Sequence, residues 1–303
     1  MKYIGICICL LFPPSAFAGG LKVKKVDPQL KEVENLVAKI GEVWNRTYDG
    51  GIMIYEPEKG RIVTNINTVE EDLKSRGGRF VGKLPKNTPK PKTGFSWGGR
   101  QWVVTYWPVS KNNQADIIHD MYLFYSSKWY HKGDWEPCDY LKDPKAKELL
   151  DLEFRALKVA AETSGNLQIS HIRSGFYFRT LRYKLFPQAQ ILEARLECSK
   201  GLEAYTEMCI KYPARQGKLK YLADKFQDPS SQNVDQFYKY TASMYALMLD
   251  KKGHGTVWKD YVRAETNVGM KWAAFNFMKI NDNLEEKVEQ YKDLYLKESY
   301  LKE

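Results

Sequence analysis

The chain has 303 residues, a formal net charge of +10, and 43% hydrophobic against 28% charged residues, with room for one large domain or two small ones. Beyond the N-terminus no stretch approaches the ~20 apolar residues of a membrane helix, which argues against an integral membrane protein. The basic excess is thin and interrupted by acids. Its one run, Lys83 to Lys92, alternates Lys83, Lys86, Lys90 and Lys92 with Pro85, Pro89 and Pro91, which reads as a solvated linker rather than a nucleic-acid groove.

Residues 1–18 carry one charge, Lys2, then an apolar run from Ile4 to Phe12 and a small-x-small ending, Ala16-Phe17-Ala18. That layout predicts a cleaved signal peptide and a secreted or periplasmic protein, with residues 19–303 as a single domain. Cys7 and Cys9 lie in the apolar run without the small residues of a lipoprotein cleavage box. Three cysteines follow: Cys138, Cys198 and Cys209. The last two are eleven residues apart in one expected helix, a rise of ~16 Å that precludes a mutual bridge, so any disulfide must include Cys138.

After a Lys-rich coil, Val33, Leu36, Val37, Ile40 and Val43 follow a helical period over 32–44. Short strands then alternate with turn signals. Gly50-Gly51 precedes 52–55, Lys59-Gly60 precedes 61–66, and Gly98-Gly99 precedes 101–107, with Pro108 closing the region. This predicts a small antiparallel sheet of three to five strands within 19–112. Residues 113–303 read as a helical body. A helix is expected over 116–130, and another opens at Asp143-Pro144 and runs to Thr163. Ser164-Gly165-Asn166 breaks it, and the next helix ends at Phe186. Pro187 starts a helix carrying Leu192, Leu196, Leu202 and Tyr205 on one side. Residues 232–250 and an amphipathic 283–303, with Leu284, Val288, Tyr291 and Tyr295 inward, complete the chain. The class is α+β, mainly α.

No CxxC, GxSxG elbow, P-loop or dinucleotide-binding glycine pattern is present. Chemistry is suggested by His119-Asp120-Met121-Tyr122-Leu123. In HExxH zinc peptidases, two histidines one helical turn apart hold the metal and the glutamate between them takes a proton from its water. Alone, this fragment is a weak signal, because a single histidine on an apolar helix is usually a packing residue.

Its neighbours carry more. Asn87-Thr88, the stretch Trp97 to Trp107 with Pro108, and Ile117-Ile118-His119-Asp120-Met121-Tyr122 come first. Leu152-Glu153-Phe154-Arg155-Ala156-Leu157 and Phe178-Arg179-Thr180-Leu181-Arg182 with Leu185-Phe186-Pro187-Gln188-Ala189 follow. Glu193 to Thr206, containing Lys200-Gly201-Leu202-Glu203-Ala204-Tyr205, and Tyr240 to Asp250 complete the series. In this order, over roughly residues 40–262, these phrases resemble a family of exported bacterial gluzincin-like zinc metallopeptidases (HExxH followed by NEGLAEY). The resemblance implies that the metal-site positions are His119, Leu123 and Lys200, that the catalytic base falls on Asp120, and that Glu153, Arg155 and Tyr205 are supporting residues.

The departures dominate. Of three implied ligands only His119 survives, Leu123 donates nothing, and Lys200 reverses the charge. One imidazole beside an ammonium group cannot hold zinc. Asp120 is also a methylene shorter than glutamate, a displacement of ~1.5 Å that costs catalysis dearly. No cofactor is therefore expected. The sequence reading is a secreted, degenerate metallopeptidase-like protein binding a protein, peptide or envelope ligand through the vestigial cleft. An active hydrolase built on His119 and Asp120, or a structural protein of the periplasm, are the alternatives. Lys200 either fills the metal position and pairs with Asp120 or Glu153, or points to solvent. A metal site rebuilt from His131, Asp134, Glu136, Cys138, His171 or His254 fits no ligand spacing.

Overall fold

A computed structural model describes residues 22–70, 73–86, 88, 90–109, 111–126, 139–226, 234–251, 258–259 and 283–296. The expected signal peptide, Cys138, His131, Asp134, Glu136 and His254 lie outside these residues. Within them the chain forms two compact units, one of residues up to 34 with 50–113 and one of residues 35–49 with everything from 114 onward.

Helix α1 (Val23–Trp44) begins well before the expected start at 32. Val26 and Leu30, on either side of Pro28, are both fully buried, and Asp27 receives a hydrogen bond from Arg79. Burial and that ion pair outweigh the ladder bond that proline removes. In the first unit, β1 (Gly51–Glu56), β2 (Arg61–Thr64), β3 (Lys74–Arg76), β4 (Arg79–Lys83), β5 (Phe95–Trp97) and β6 (Arg100–Tyr106) make one sheet, in the order β3-β4-β2-β1-β6-β5.

The sheet differs from expectation in two ways. It has six strands, and it is mixed: β1 runs parallel to β6, Ile52 opposite Val103 and Ile54 opposite Thr105, while the other pairings are antiparallel. The strands missed by pattern are the short and polar ones, and β3 is exposed along its whole length. Met53, Tyr55, Ile62, Leu84, Trp102 and Val104 form the core of this unit. Gly51 sits where any Cβ would overlap the Trp102 ring at 2.2 Å.

The second unit is helical: α2 (Lys111–Ser126), α3 (Pro144–Glu162), α4 (Gly165–Leu185), α5 (Pro187–Leu196), α6 (Leu202–Lys211), α7 (Arg215–Lys225), α8 (Val234–Lys251) and α9 (Leu284–Leu296). A short 3-10 turn covers Asp139–Lys142, and a π-helical segment, Glu197–Gly201, joins α5 to α6. Asp143 caps α3 through the Lys145 N–H, with Pro144 at the first helical position, and Gly165 makes the α3–α4 break at a φ of +63°. Helix α9 docks through Leu284, Val288 and Tyr295 on Leu149, Leu152, Phe178 and Leu181. None of the described helices is long and apolar enough to cross a membrane.

Candidate functional site

Helix α2 buries Ile117, Ile118, Met121, Tyr122 and Tyr125. That stripe turns His119 outward, with Asp120 and Leu123 half-buried beside it. His119 is 47% exposed, and its Nδ1 lies 3.0 Å from Oε1 of Glu203, itself 34% exposed. One turn along, the Tyr122 hydroxyl donates to the carbonyl of Cys198. The Tyr122 ring packs 5.8 Å from Trp44, whose indole N–H donates to Thr206 Oγ1 at 3.0 Å. Helix α2 and the stretch from Cys198 to Glu203 are thus joined by direct side-chain contacts.

The residue that reaches the imidazole is Glu203. It follows Lys200 by three positions, and sequence reading did not single it out. Lys200 is half-buried within the π-helical segment, and Gly201 beside it is a packing requirement. A Cβ on Gly201 would fall 2.3 Å from the Ala242 Cβ and 2.8 Å from the Tyr238 carbonyl of α8. The π geometry carries one extra residue in the turn and so sets which side chains of 197–203 face α2.

Among the described residues, no group of three His, Cys, Asp or Glu side chains is placed to hold a metal ion. Around His119 the donor set is one imidazole and one carboxylate already bonded to each other, with Leu123 where a second imidazole would stand. These residues do not fit a zinc centre, which takes at least three protein ligands.

Several phrases behind the resemblance converge on a different feature. Glu153 of α3, Arg179 and Arg182 of α4, Glu193 of α5 and Glu197 of the π segment are all fully buried. Arg179 Nε donates to Glu153 Oε1 at 2.7 Å, and its Nη2 lies 2.6 Å from Glu197 Oε1. Arg182 bridges Glu153 Oε2 at 2.8 Å and Glu193 at 2.7 Å through both Nε and Nη2. Phenols complete the shell: Tyr245 donates to Glu153 at 3.0 Å, and Tyr140 and Tyr183 to Glu193 at 2.6 and 2.9 Å. The Tyr245 ring also lies under the Arg179 guanidinium, 4.7 Å from its centroid.

Burial opposes charge on both arginines, yet the surrounding glutamates more than offset it and hold both guanidinium groups well above their ordinary pKa. Glu193 is pulled below the usual carboxyl range by Arg182 against the cost of burial. In Glu197 burial prevails and the carboxyl is raised to about 7. Glu153 therefore belongs to this interior cluster. Its carboxylate is occupied by Arg179, Arg182 and Tyr245, which leaves it no role as the partner expected for Lys200. Arg155, two residues further along α3, is half-buried.

Tyr205 is buried and donates to Asp250 Oδ2, whose Oδ1 accepts the Trp258 indole N–H at 3.1 Å. Lys259 lies 3.6 Å from the same carboxylate, donates to the Val43 carbonyl, and sits over the Tyr205 and Trp258 rings at 5.7 and 5.4 Å. Burial, reinforced by Cys209 and Asp250, keeps the Tyr205 phenol protonated. Two resemblance phrases, those ending in Tyr205 and in Asp250, thus meet in one contact. Among the described residues, Cys198 is a buried free thiol and Cys209 a half-buried one. His171 bonds Tyr295 at 2.7 Å through Nδ1 and serves α9 docking.

Comparison of the chain with protein-family models, with curated proteins and with solved structures returns no match. The residues themselves carry the functional reading.

Proposed function

We propose that this chain is a secreted, gluzincin-like protein in which direct side-chain bonds do the work of the ancestral metal, and that it binds a protein, peptide or envelope ligand without hydrolysing it. The observation that carries the reading is the His119 Nδ1–Glu203 Oε1 bond at 3.0 Å. In a zinc peptidase the metal ties the HExxH helix to the helix of the third ligand. Here the imidazole reaches across to a carboxylate, and Tyr122 adds a second tie to Cys198. An imidazole used this way has one nitrogen engaged, a leucine one turn away, and no partner ligands. The exposed wall formed by His119, Glu203 and neighbouring half-buried side chains is then a surface for recognition. Export follows from the Lys2, Ile4–Phe12 and Ala16-Phe17-Ala18 pattern.

The same bond favours a second reading. A carboxylate on Nδ1 orients an imidazole so that Nε2 can take a proton, which is how a histidine base is held in metal-free hydrolases. Incubating the purified protein with a mixed peptide substrate, with and without added zinc, separates the two. The binding reading expects no cleavage in either condition. Cleavage that His119→Ala abolishes would overturn it, and loss of that cleavage in Glu203→Gln as well would assign the metal-free mechanism.

A further inference from the structure

The segment from Leu73 to Ala115 holds nine basic residues and no acidic one, so it alone carries +9 of the chain's net +10. The basic excess, thin when read along the whole chain, is concentrated in the sheet unit. There the strand register sets like charges opposite one another. Lys83 of β4 lies across from Arg61 of β2, and Arg76 of β3 across from Arg79 of β4, with Lys74 two residues from Arg76 on the same face. Directly opposed like charges destabilise a strand pair. Arg79 is answered by Asp27 and Glu34 of α1. Arg61 has Glu56 on its other side, but that carboxylate is bonded to Lys59 at 2.9 Å. Lys74, Arg76 and Lys83 are exposed and form no ion pair among the described residues.

The lysines that follow are held in place too. The Pro-Lys stretch, expected to be a solvated linker, packs on the other face of the sheet. Its Leu84 joins Ile62, which neighbours Arg61 in β2 and so points away from the cations, in the core with Tyr55 and Trp102. Pro91 is buried and its carbonyl accepts from the Tyr106 hydroxyl at 2.6 Å, while the Thr93 hydroxyl donates to the Val104 carbonyl at 3.2 Å. Lys86, Lys90 and Lys92 stand out from this loop, exposed and without an ion pair among the described residues. Charge on an exposed edge strand guards against pairing with another sheet. That accounts for β3, but not for Lys83 on an inner strand or for the loop lysines.

We propose that these two sets of cations form a docking surface for an extended, phosphate-bearing polymer, recognised through its phosphates alone. Each cation that meets a phosphate releases a condensed counterion, and that release drives binding. The placement favours a flexible chain over a flat bilayer. Lys74, Arg76 and Lys83 lie on one face of the sheet, and the loop with Lys86, Lys90 and Lys92 crosses the other, so a plane meets only one set while a polymer can follow both. The surface belongs to the sheet unit, and the inference is independent of the metallopeptidase-like reading of the His119 helix.

Titration of the purified protein with long-chain inorganic polyphosphate over a range of salt concentrations tests this. The triple variant Lys74→Gln/Arg76→Gln/Lys83→Gln should bind about tenfold or more weakly at low salt, and should flatten the slope of log affinity against log salt by about 2. The loop variant Lys86→Gln/Lys90→Gln/Lys92→Gln should act in the same way, and Lys142→Gln/Lys147→Gln on the helical unit should change nothing. Lys83→Gln alone, which relieves the charge opposite Arg61, should unfold at or above the wild-type midpoint while binding more weakly, a pairing of effects that loss of structure cannot produce. Absence of polyphosphate binding, or equal weakening by the helical-unit variant, would overturn the proposal. So would tighter binding to phosphatidylglycerol vesicles, which would assign a membrane surface, or to single-stranded DNA, which would assign recognition of bases.

Discussion

Two sets of carboxylate contacts in the same helical unit, one with guanidinium groups and one with an imidazole, differ most in their burial. The Glu153–Arg179–Arg182–Glu193–Glu197 cluster is entirely removed from water, whereas His119 and Glu203 are 47% and 34% exposed. Buried ions that lose a partner leave an uncompensated charge in a medium that cannot solvate it, so the cluster is a requirement of the fold. Exposed pairs are solvated with or without each other and contribute little to stability. The phrases that suggest a peptidase therefore have two origins: one set maintains an interior, and the other remains on a surface where its loss would cost the fold little.

Breaking the interior should have the largest effect. Arg179→Met removes the guanidinium that Glu153 and Glu197 share and leaves Arg182 against three carboxylates, and about 3–5 kcal/mol of stability should be lost in denaturant unfolding. A loss below about 1 kcal/mol would mean that water reaches the cluster. Gly201→Ala comes next. With Ala242 and the Tyr238 carbonyl in the way, α8 must shift, and a loss of about 1–3 kcal/mol is expected. An unchanged midpoint would place the π segment further from α8. Asp143→Ala removes the cap on the Lys145 N–H and should cost about 1 kcal/mol. The smallest effect belongs to the exposed pair. A double-mutant cycle on His119→Ala and Glu203→Gln should give a coupling of about 0.2–1 kcal/mol. A coupling above about 2 kcal/mol would show that this pair behaves like the interior one.

Sequence pattern revealed what depends on period and punctuation. The Asp143-Pro144 start, the Gly165 break, the Pro187 restart and the inward side of α9 all stand where spacing and turn chemistry put them. The sheet was legible where strands are buried and alternate with glycine turns. It was not legible at β3, whose exposed Lys74–Arg76 has no apolar pattern, nor in the parallel β1–β6 pairing, which depends on the path of the whole chain. The early start of α1 was hidden because Pro28 argues locally against helix, and only burial of Val26 and Leu30 with the Asp27–Arg79 pair overrules it.

At the site, sequence singled out His119 but not Glu203, the residue that meets its imidazole. The π turn at Glu197–Gly201, which precedes Glu203, is not legible from side-chain spacing. The interior cluster has a sequence signal, since two arginines three apart and two glutamates four apart flank one Phe-Pro junction.

Zinc stoichiometry tests the central claim most directly. Protein purified from zinc-supplemented cells, dialysed without chelator and measured by mass spectrometry, should carry well under one zinc per chain. Its unfolding midpoint should not move when a chelator is added. About one zinc per chain, lost in His119→Ala and accompanied by a lower midpoint in chelator, would contradict the account.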